Sequence, residues 1–331
     1  MNHSSARPTT ISRRRMVEVG VAACLAPALS LAATYPSKPI RAIVGFVPGG
    51  STDFGARVIA AALSDVLSVP VVVENKPGAT GVLATDYVSK QPGDGYTLLV
   101  ATPTPVIVAP QAMGTQRFDP LTQLAPINMV STTPMAISAG PRLRLERIKD
   151  LVALSRTRQV TIGTSGLGGS LHLVIEALIQ STGANVLVVP YKGTGPTITD
   201  CIAGHIDAIV SDVGNVIPFH KEGKLKILGV TSQQRMETLS DVPAIHEDVP
   251  GLVMANWLGV FTSGKTPKDL VDKLDAALLK VVGRNDVREQ FAKSGYSMAS
   301  MPNADAFRKF VVAEHQRYGA LIRDRGVVIK E

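Results

Sequence analysis

The sequence predicts an α/β protein built as two lobes, and three observations support this fold class. Short β-branched runs alternate with segments of helical periodicity through most of the chain. A strand, a glycine-rich bend and a helix start occur twice, at 40–53 and again at 160–170. From Thr266 onward the pattern is helical only. A domain that is interrupted by a second, inserted domain accounts for all three observations.

Runs of Val, Ile and Thr bounded by Gly, Pro and polar residues define the strands, and 3.6-residue periodicity defines the helices. Strands are predicted at 40–46, 69–74, 97–101, 127–130, 160–164, 185–189, 206–211, 226–231 and 253–261. Helices are predicted at 53–67, 79–90, 147–156, 169–182, 194–204 and 213–222. Because strands and helices alternate, we expect parallel sheets covered by helices on both faces.

The C-terminal tail returns to the first domain. A helix begins at Thr266-Pro267, and further helices are predicted at 284–294 and 303–324 with no strand among them. The chain is expected to cross between the domains near 133 and 255. The predicted organisation is a signal peptide at 1–33, lobe 1 from 34–133 and 256–331, and lobe 2 from 134–255.

Two bends predict an anion site: the first bend, residues 46–53, and the second bend, residues 163–170. Each should leave backbone N–H groups at a helix start without partners, where partial positive charge collects. A carboxylate or phosphate suits such a position. Two of them in one chain indicate two lobes that hold one anion between them. The glycines alone do not decide this, because a tight strand-to-helix turn needs glycine even without a ligand.

Nucleotide-binding and catalytic motifs do not match these bends. The first bend lacks the lysine of a P-loop. The second does not match the dinucleotide fingerprint, and no acidic residue follows about twenty residues later. Ser165 is followed directly by Gly166, so it does not form a nucleophile elbow. The hydroxyl groups of Thr164, Ser165 and Ser170 instead favour a neutral, donor-rich pocket for an anion.

Several side chains near the bends allow both a structural and a binding interpretation. Asp53 occupies a helix-capping position. His172 either touches a bound acid or holds the loop through a hydrogen bond to a carbonyl. Lys192 either pairs with a ligand carboxylate or is solvated, and we favour solvation. Tyr191 and Gly193 are the better candidates for lining a cleft.

Composition and charge exclude several function classes. The formal charge is +7, of which the first 33 residues contribute +3, so the remainder is only mildly basic. The basic run at 142–158 contains acidic residues and no aromatic residue, which favours a solvated helix face over nucleic-acid binding. The histidines are scattered, and no metal or cofactor is expected. Cys201 is predicted to be a small buried side chain and not a catalytic thiol.

The N-terminus predicts export. Arginines at 13–15 precede an apolar stretch at 17–31 that is short for a membrane span, and small residues follow. The paired arginines admit a twin-arginine route. The segment 21–24 resembles a lipoprotein box ending at Cys24, but cleavage there would discard half of the apolar run. We therefore expect a cleaved signal and a periplasmic mature protein.

Six segments follow one another in an order shared with a known family. They are YPSKPIR at 35–41, the first bend, VVVENKPGA at 71–79, DGYTLL at 94–99, FDP at 118–120 and VPYKG at 189–193. Over its mature length the chain resembles the Bug proteins, the periplasmic solute receptors of tripartite tricarboxylate transporters. The resemblance implies a type II periplasmic-binding-protein fold, with a ligand cleft between two α/β lobes. It also implies small carboxylate ligands, such as dicarboxylates, citrate, acidic amino acids, nicotinate or terephthalate.

The resemblance further implies that backbone N–H groups and ordered waters of the two bends recognise the ligand. Carried over residue by residue, the ligand-binding set is Phe46, Pro48, Gly49, Gly50, Ser51, Thr52, Asp53, Thr102, Thr104, Thr164, Ser165, Gly166, Gly168, Ser170, His172, Tyr191, Lys192, Gly193 and Asp212. Two positions depart from the family. Ile162 stands where a tyrosine often precedes the glycine of the second bend. The segment 101–105 has two prolines where small polar residues, and often a histidine, are usual.

These expectations combine into one predicted function. The protein is a receptor, not an enzyme, that binds a small organic carboxylate and delivers it to the membrane permease subunits of a tripartite tricarboxylate transporter. It is expected to be a monomer that needs no cofactor and binds no nucleic acid. One alternative is a sensory receptor that presents its closed form to a signalling partner. A less favoured one is an exported hydrolase or transferase, for which no Ser–His or Cys–His pair can be defended.

Overall fold

The computed structural model describes residue 1, residues 35–113 and residues 119–327. The signal-peptide prediction at 1–33, with Cys24, therefore lies outside the described residues apart from Met1. The chain from Lys38 onward forms one compact unit. Within the described ranges, no helix combines the length and apolar character needed to cross a bilayer.

Ten strands and eleven α-helices carry the architecture of the described chain. The strands are β1 Ile40–Val44, β2 Val71–Asn75, β3 Thr97–Ala101, β4 Leu124–Ala139, β5 Val160–Thr164, β6 Val186–Pro190, β7 Ala208–Asp212, β8 Lys226–Val230, β9 Ala255–Ser263 and β10 Ser297–Met298. The helices are α1 Ser51–Leu67, α2 Val82–Ser89, α3 Ala109–Ala112, α4 Pro120–Gln123, α5 Ile148–Ser155, α6 Ser170–Thr182, α7 Thr194–Ala203, α8 Ile217–Lys221, α9 Lys268–Gly283, α10 Asn285–Lys293 and α11 Ala304–Arg325. The order of these elements confirms the predicted alternation of strands and helices.

Two sheets share the long strand β4. In the first sheet the order is β2-β1-β3-β9-β4, and in the second it is β4-β7-β5-β6. Strand β4 pairs with β9 as far as Pro134 and with β7 and β8 from Met135 onward. The chain thus passes between the sheets next to the predicted crossing points near 133 and 255. The division into lobes at those residues remains a prediction.

The prediction of purely parallel sheets is wrong. β1, β2 and β3 are parallel, as are β5, β6 and β7, but β4, β8, β9 and β10 pair antiparallel. Of these, β4 and β9 are the strands by which the chain leaves the first sheet and returns to it.

Strand β4 is also much longer than the predicted strand at 127–130. Pro126, Pro134 and the polar residues between them weaken the strand pattern, so the sequence indicates only its most apolar part. Most of these positions are nevertheless buried and paired with β9. The prediction failed because long-range pairing overrides local propensity.

Three smaller corrections concern short elements. The tail does contain a strand, because β10 pairs with β4 over two residues, too few for a sequence pattern. The predicted helices at 79–90 and 213–222 each begin with a separate 3₁₀ turn, at Ala79–Gly81 and Val213–Asn215. After β3 the chain forms an unpredicted π-helical turn, Thr104–Val108, which leads into α3.

The core is aliphatic and continuous between the two sheets. Buried residues of β1, β3, β4, β5 and β7 belong to one packed cluster together with residues of α6 and α11. Helix α11 lies against both β4 and α6. Cys201 is fully buried in a second cluster, and burial raises the pKa of its thiol to about 12, as expected for a small core side chain.

Candidate functional site

The first bend connects β1 to α1 and leaves the helix start uncapped. Helix α1 begins at Ser51, and its N-cap is Gly50, which has no side chain to accept an N–H of the first turn. The turn itself requires glycine at Gly49, whose φ is +87°. Residues 47–50 are exposed. The start of α1 therefore offers backbone N–H groups to a ligand, as the sequence predicts.

Asp53 holds the first bend in shape. Its carboxylate accepts hydrogen bonds from the Gly49 N–H at 2.9 Å, from Arg57 at 2.9 Å and from Asn75 at 2.8 Å. Burial by itself would raise the pKa of Asp53, but these donors outweigh it and lower the pKa below its ordinary value. All of the carboxylate's observed bonds are internal, so Asp53 contributes by positioning the bend.

The second bend connects β5 to α6 in the same way. Helix α6 begins at Ser170 after the N-cap Gly169. Gly166 and Gly168 have φ of +124° and +66°, conformations in which other residues would be strained. Both N-cap residues therefore lack a capping side chain. The second bend nevertheless differs from the prediction, because the N–H groups of Gly168 and Ser170 already donate to His172 Nδ1 and Thr104 Oγ1.

His172 holds the second bend, by a bond different from the predicted one. Its Nδ1 accepts the N–H of Gly168 at 2.9 Å, so the ring proton is on Nε2, which lies 3.2 Å from a Glu176 carboxylate oxygen. The prediction named a carbonyl as the partner. The histidine accepts an amide proton instead, and both of its ring nitrogens are engaged beneath the bend.

The segment after β3 lies between the two bends. The Thr104 hydroxyl accepts the N–H of Ser170 at 3.1 Å and lies 3.2 Å from the Ser170 hydroxyl. Two residues earlier, Thr102 lines a cavity together with Ser51 and Thr52 of the first bend. The segment 102–104 therefore connects the cavity at the start of α1 with the start of α6.

A cavity lies at the start of α1. Residues of the paired strands β4 and β9 line it, together with the rings of Phe54, Phe291 and Tyr296, whose centroids lie about 6 Å apart. Its lining residues are Ser51, Thr52, Phe54, Gly55, Thr102, Ser131, Thr133, Asp212, Asn256, Trp257, Leu258, Phe291 and Tyr296. None of these described lining residues is Lys, Arg or His.

Asp212 is the acidic group of this cavity. It ends β7, is 5% exposed, and accepts hydrogen bonds from Ser51 Oγ at 3.3 Å and from Asn256 Nδ2 at 3.0 Å. Burial raises the pKa of the Asp212 carboxyl above its ordinary value, against the opposing effect of these two donors. Burial and the nearby Asp212 also raise the pKa of Tyr296. Burial disfavours the charged form of Asp212, and no described lining residue carries a positive charge that would offset this effect.

Four residues of the predicted ligand-binding set line this cavity: Ser51, Thr52, Thr102 and Asp212. Thr104 and Ser170 meet beside it. The remaining members lie in the two bends or close to them. Phe46 is half-buried, Pro48, Gly49, Gly50 and Lys192 are exposed, and Thr164, Ser165, Gly166 and Gly168 form the second bend. Contact between any of these residues and a ligand remains a prediction.

In the segment 191–193, the observed contacts of the side chains are with the protein itself. Tyr191 donates to Asp200 at 2.8 Å, and burial together with this bond raises the pKa of Tyr191 to about 12. Gly193 is the N-cap of α7 with φ of +130°. Lys192 is exposed, which agrees with the favoured interpretation of a solvated lysine.

Nine residues that line the cavity were not predicted from the sequence: Phe54, Gly55, Ser131, Thr133, Asn256, Trp257, Leu258, Phe291 and Tyr296. Apart from Phe54 and Gly55, which directly follow the first bend, they are distant in sequence from both bends, so spacing alone does not place them together. One signal was available: Asn256 and the single tryptophan, Trp257, mark a polar break in an apolar strand at the predicted crossing point.

Comparison with known proteins identifies the family. The sequence pattern of TctC, described as "Tripartite tricarboxylate transporter family receptor", matches residues 55–327. The chain belongs to this family. Protein BugT of Bordetella pertussis is 34% identical over 301 residues, covering 90% of this chain and 92% of that protein. Its similarity confirms the resemblance to the Bug proteins.

Solved structures of similar proteins have the same fold. The structure of periplasmic binding protein BugD has a TM-score of 0.80 at 30% identity, covering 89% of this chain and 100% of that one. Rpa4515 of R. palustris, solved with adipate, has a TM-score of 0.82 at 29% identity and covers 89% of this chain and 99% of its own. MatC from Rhodopseudomonas palustris, solved with bound malate, has a TM-score of 0.79 at 25% identity, covering 87% and 100%.

These comparisons confirm the periplasmic-binding-protein fold, with its two α/β lobes and the ligand cleft between them. They also confirm that the protein is a solute-binding receptor and not an enzyme.

Proposed function

We propose that this receptor binds a small organic carboxylate between the two bends and delivers it to the membrane permease of a tripartite tricarboxylate transporter. The supporting observation is that two helices, α1 and α6, begin at glycine N-caps on either side of the segment 102–104. Adipate and malate in the related structures are carboxylates of the proposed class. The protein is further proposed to act as a periplasmic monomer after removal of its signal peptide.

Binding is proposed to rest on N–H groups and hydroxyls, because no described lining residue of the cavity is Lys, Arg or His. A hydrogen bond to a charged group contributes about 1.5–3 kcal/mol. A helix N-terminus adds up to about 2 kcal/mol in a partly buried site. Two or three such contacts, less the free-energy loss of association, correspond to an affinity on the order of micromolar.

Delivery to the permease requires a form of the receptor that depends on the ligand. An acid that contacts both bends binds the closed arrangement more tightly than the open one, so it shifts the population toward closure. We propose that the permease recognises this closed form.

The first test is isothermal titration calorimetry of ligand-free, folded protein against aliphatic and aromatic mono-, di- and tricarboxylates. We expect at least one acid to bind with micromolar affinity and to be recovered chemically unchanged. Absence of binding across the whole panel would contradict the proposal.

A substitution in the first bend then locates the site. Gly50 has extended backbone dihedrals, and the nearest atom to an added Cβ is 3.9 Å away, so Gly50→Asp fits without a clash. Its carboxylate would cap α1, occupy the N–H groups and repel a ligand anion. We expect at least about a tenfold loss of affinity, worth about 1.4 kcal/mol, with no loss of thermal stability.

Two control variants separate the causes. Gly50→Asn caps the helix without the charge, so it should weaken binding less than Gly50→Asp. Pro267→Asp places the same charge at the N-cap of α9, outside the cavity, and should leave the affinity unchanged. Wild-type affinity in Gly50→Asp would show that the ligand binds elsewhere.

A further inference from the structure

The two bends correspond residue by residue at the point where their helices begin. The triplet GGS occurs at 49–51 in the first bend and again at 168–170 in the second. In each bend the N–H of the first glycine donates at 2.9 Å to the side chain four residues later, which is Asp53 in one and His172 in the other. The two helix starts are thus built alike up to the serine that opens each helix.

These two serines have different surroundings. Ser51 is half-buried and lines the cavity. Ser170 is 2% exposed, its N–H donates to Thr104 Oγ1 at 3.1 Å, and its hydroxyl lies 3.2 Å from the same oxygen. Thr104 is also buried, and none of the described residues that line the cavity belongs to the second bend. The segment after β3 therefore covers the start of α6, whereas the start of α1 is open to the cavity.

Thr104 gives α6 the acceptor that a bound anion would otherwise supply. A side-chain oxygen that accepts an N–H of the first turn satisfies a helix start in the same way as a carboxylate oxygen does. A Cβ added to Gly169 would lie 3.4 Å from both Oγ1 and Cγ2 of Thr104, so the threonine side chain lies directly against the N-cap of α6. A ligand carboxylate could reach the Ser170 N–H only by displacing the threonine hydroxyl.

We propose that Thr104 is a specificity-determining residue, which restricts this receptor to acids recognised through one carboxylate, bound at the start of α1. The inference rests on the proposed function, since it assumes that the start of α1 binds a carboxylate. The rest of the acid then meets the second bend with uncharged atoms. A second carboxylate would lose hydration without gaining a helix start or a cationic side chain, because no described lining residue is Lys, Arg or His.

Matched pairs of acids test this by calorimetry on the wild-type protein. Butyrate, valerate, hexanoate and 4-methylbenzoate are compared with succinate, glutarate, adipate and terephthalate, in which a carboxylate replaces the terminal methyl group. We expect no dicarboxylate to bind more tightly than its monocarboxylate partner. A dicarboxylate that binds more than about threefold more tightly overturns the inference but leaves the proposed function intact. Failure of every acid to bind overturns both.

Substitutions at Thr104 assign the restriction to its hydroxyl group. Thr104→Ala uncovers the start of α6, so at least one dicarboxylate should gain about tenfold or more over its partner, the value of one hydrogen bond to a charged group. Thr104→Ser keeps the hydroxyl and should keep the wild-type ratio of affinities, as should Thr199→Ala, which removes an exposed hydroxyl from α7. A change in cleft closure alone would alter the affinity of both members of a pair by the same factor, so the ratio reports on specificity. An unchanged ratio in Thr104→Ala overturns the inference, and the wild-type pairs test it even if that variant does not fold.

Discussion

Two carboxyl groups next to the start of α1 have opposite surroundings. Asp53 receives hydrogen bonds from Gly49, Arg57 and Asn75, and its pKa is lowered although burial opposes this. Asp212 is buried with Ser51 and Asn256 as its donors, and its pKa is raised. The charged form of Asp53 therefore stabilises the bend, whereas the charged form of Asp212 is disfavoured beside the cavity.

The isosteric variant Asp53→Asn should destabilise the protein. An amide has a single oxygen, so some of the donors around residue 53 would lose their acceptor. This should lower the free energy of unfolding by about 1–3 kcal/mol. The folded-state pKa of Asp53 lies below its unfolded value of about 3.9, so its stabilisation is present above that pH and is lost as the pH falls through the folded value. Urea unfolding of the variant and the wild type should differ at pH 7 and converge at strongly acidic pH.

The control for this prediction is Asp65→Asn on the same helix. The Asp65 side chain is 65% exposed and contacts Arg284, so little change in stability is expected. An equal loss in both variants, or a difference between Asp53→Asn and the wild type that does not depend on pH, would contradict the assigned role.

At the scale of elements, each bend depends on a glycine in or directly after its strand. Gly45 follows β1, and a Cβ at this position would lie 2.8 Å from the Cα of Gly81 and 2.9 Å from its carbonyl oxygen. Gly163 lies within β5, where a Cβ would lie 2.5 Å from the side chains of Thr197 and Ile206. The strands can approach their neighbours this closely because glycine has no side chain.

Gly45→Ala should therefore destabilise the protein by several kcal/mol, on the order of an overpacked core site, because the obstructing atoms belong to the Gly81 backbone. Gly283→Ala is the matched control. It ends α9 with open space around the added methyl group, and it should stabilise the protein by about 0.4–1 kcal/mol. Thermal unfolding followed by circular dichroism measures both, and unchanged stability in Gly45→Ala would refute the close approach.

At the scale of the whole molecule, two polar contacts join chain segments on opposite sides of the cavity. Ser51 of the first bend donates to Asp212 at the end of β7, and Thr104 after β3 accepts from Ser170 of α6. The first two residues are 161 positions apart in sequence, and the second two are 66 positions apart. These contacts connect elements of the first sheet with elements of the second, so we expect them to favour the closed arrangement of the proposed cleft.

Thr104→Val should open the ligand-free protein. The variant keeps the shape of the side chain but removes the acceptor for Ser170, which is worth about 0.5–1.5 kcal/mol, a two- to thirteenfold change in the ratio of closed to open molecules. Small-angle X-ray scattering should give a larger radius of gyration without ligand and the wild-type value at saturation. Thr199→Val, an exposed position in α7, is the control. Identical scattering of all three ligand-free proteins would contradict the prediction.

Most local features of the fold were predictable from the sequence. The two bends and the helices that follow them depend on residues within about ten positions of one another, so spacing and residue type reveal them. The prediction of Asp53 as the cap was wrong, because α1 begins two residues earlier with Gly50 as its N-cap, and Asp53 lies in the first turn, where it accepts the Gly49 N–H. Strand β4 was underestimated and β10 was missed, because their pairing partners are far away in sequence. The sequence did not decide the role of His172 or predict its bond to Gly168. Both depend on hydrogen-bond partners, which are set by the backbone path of the bend.

The sequence by itself determined the fold class, the family and the two glycine-rich helix starts, since these follow from local patterns of side-chain size, polarity and backbone freedom. Only the tertiary structure decided that Asp212, Asn256 and Tyr296 meet at the start of α1 and that Thr104 reaches the start of α6. Such meetings depend on how strand β4, which pairs in both sheets, brings the end of β7 next to β9 and the start of α1. No local pattern encodes the distance between residues that are separated by 40 to 160 positions.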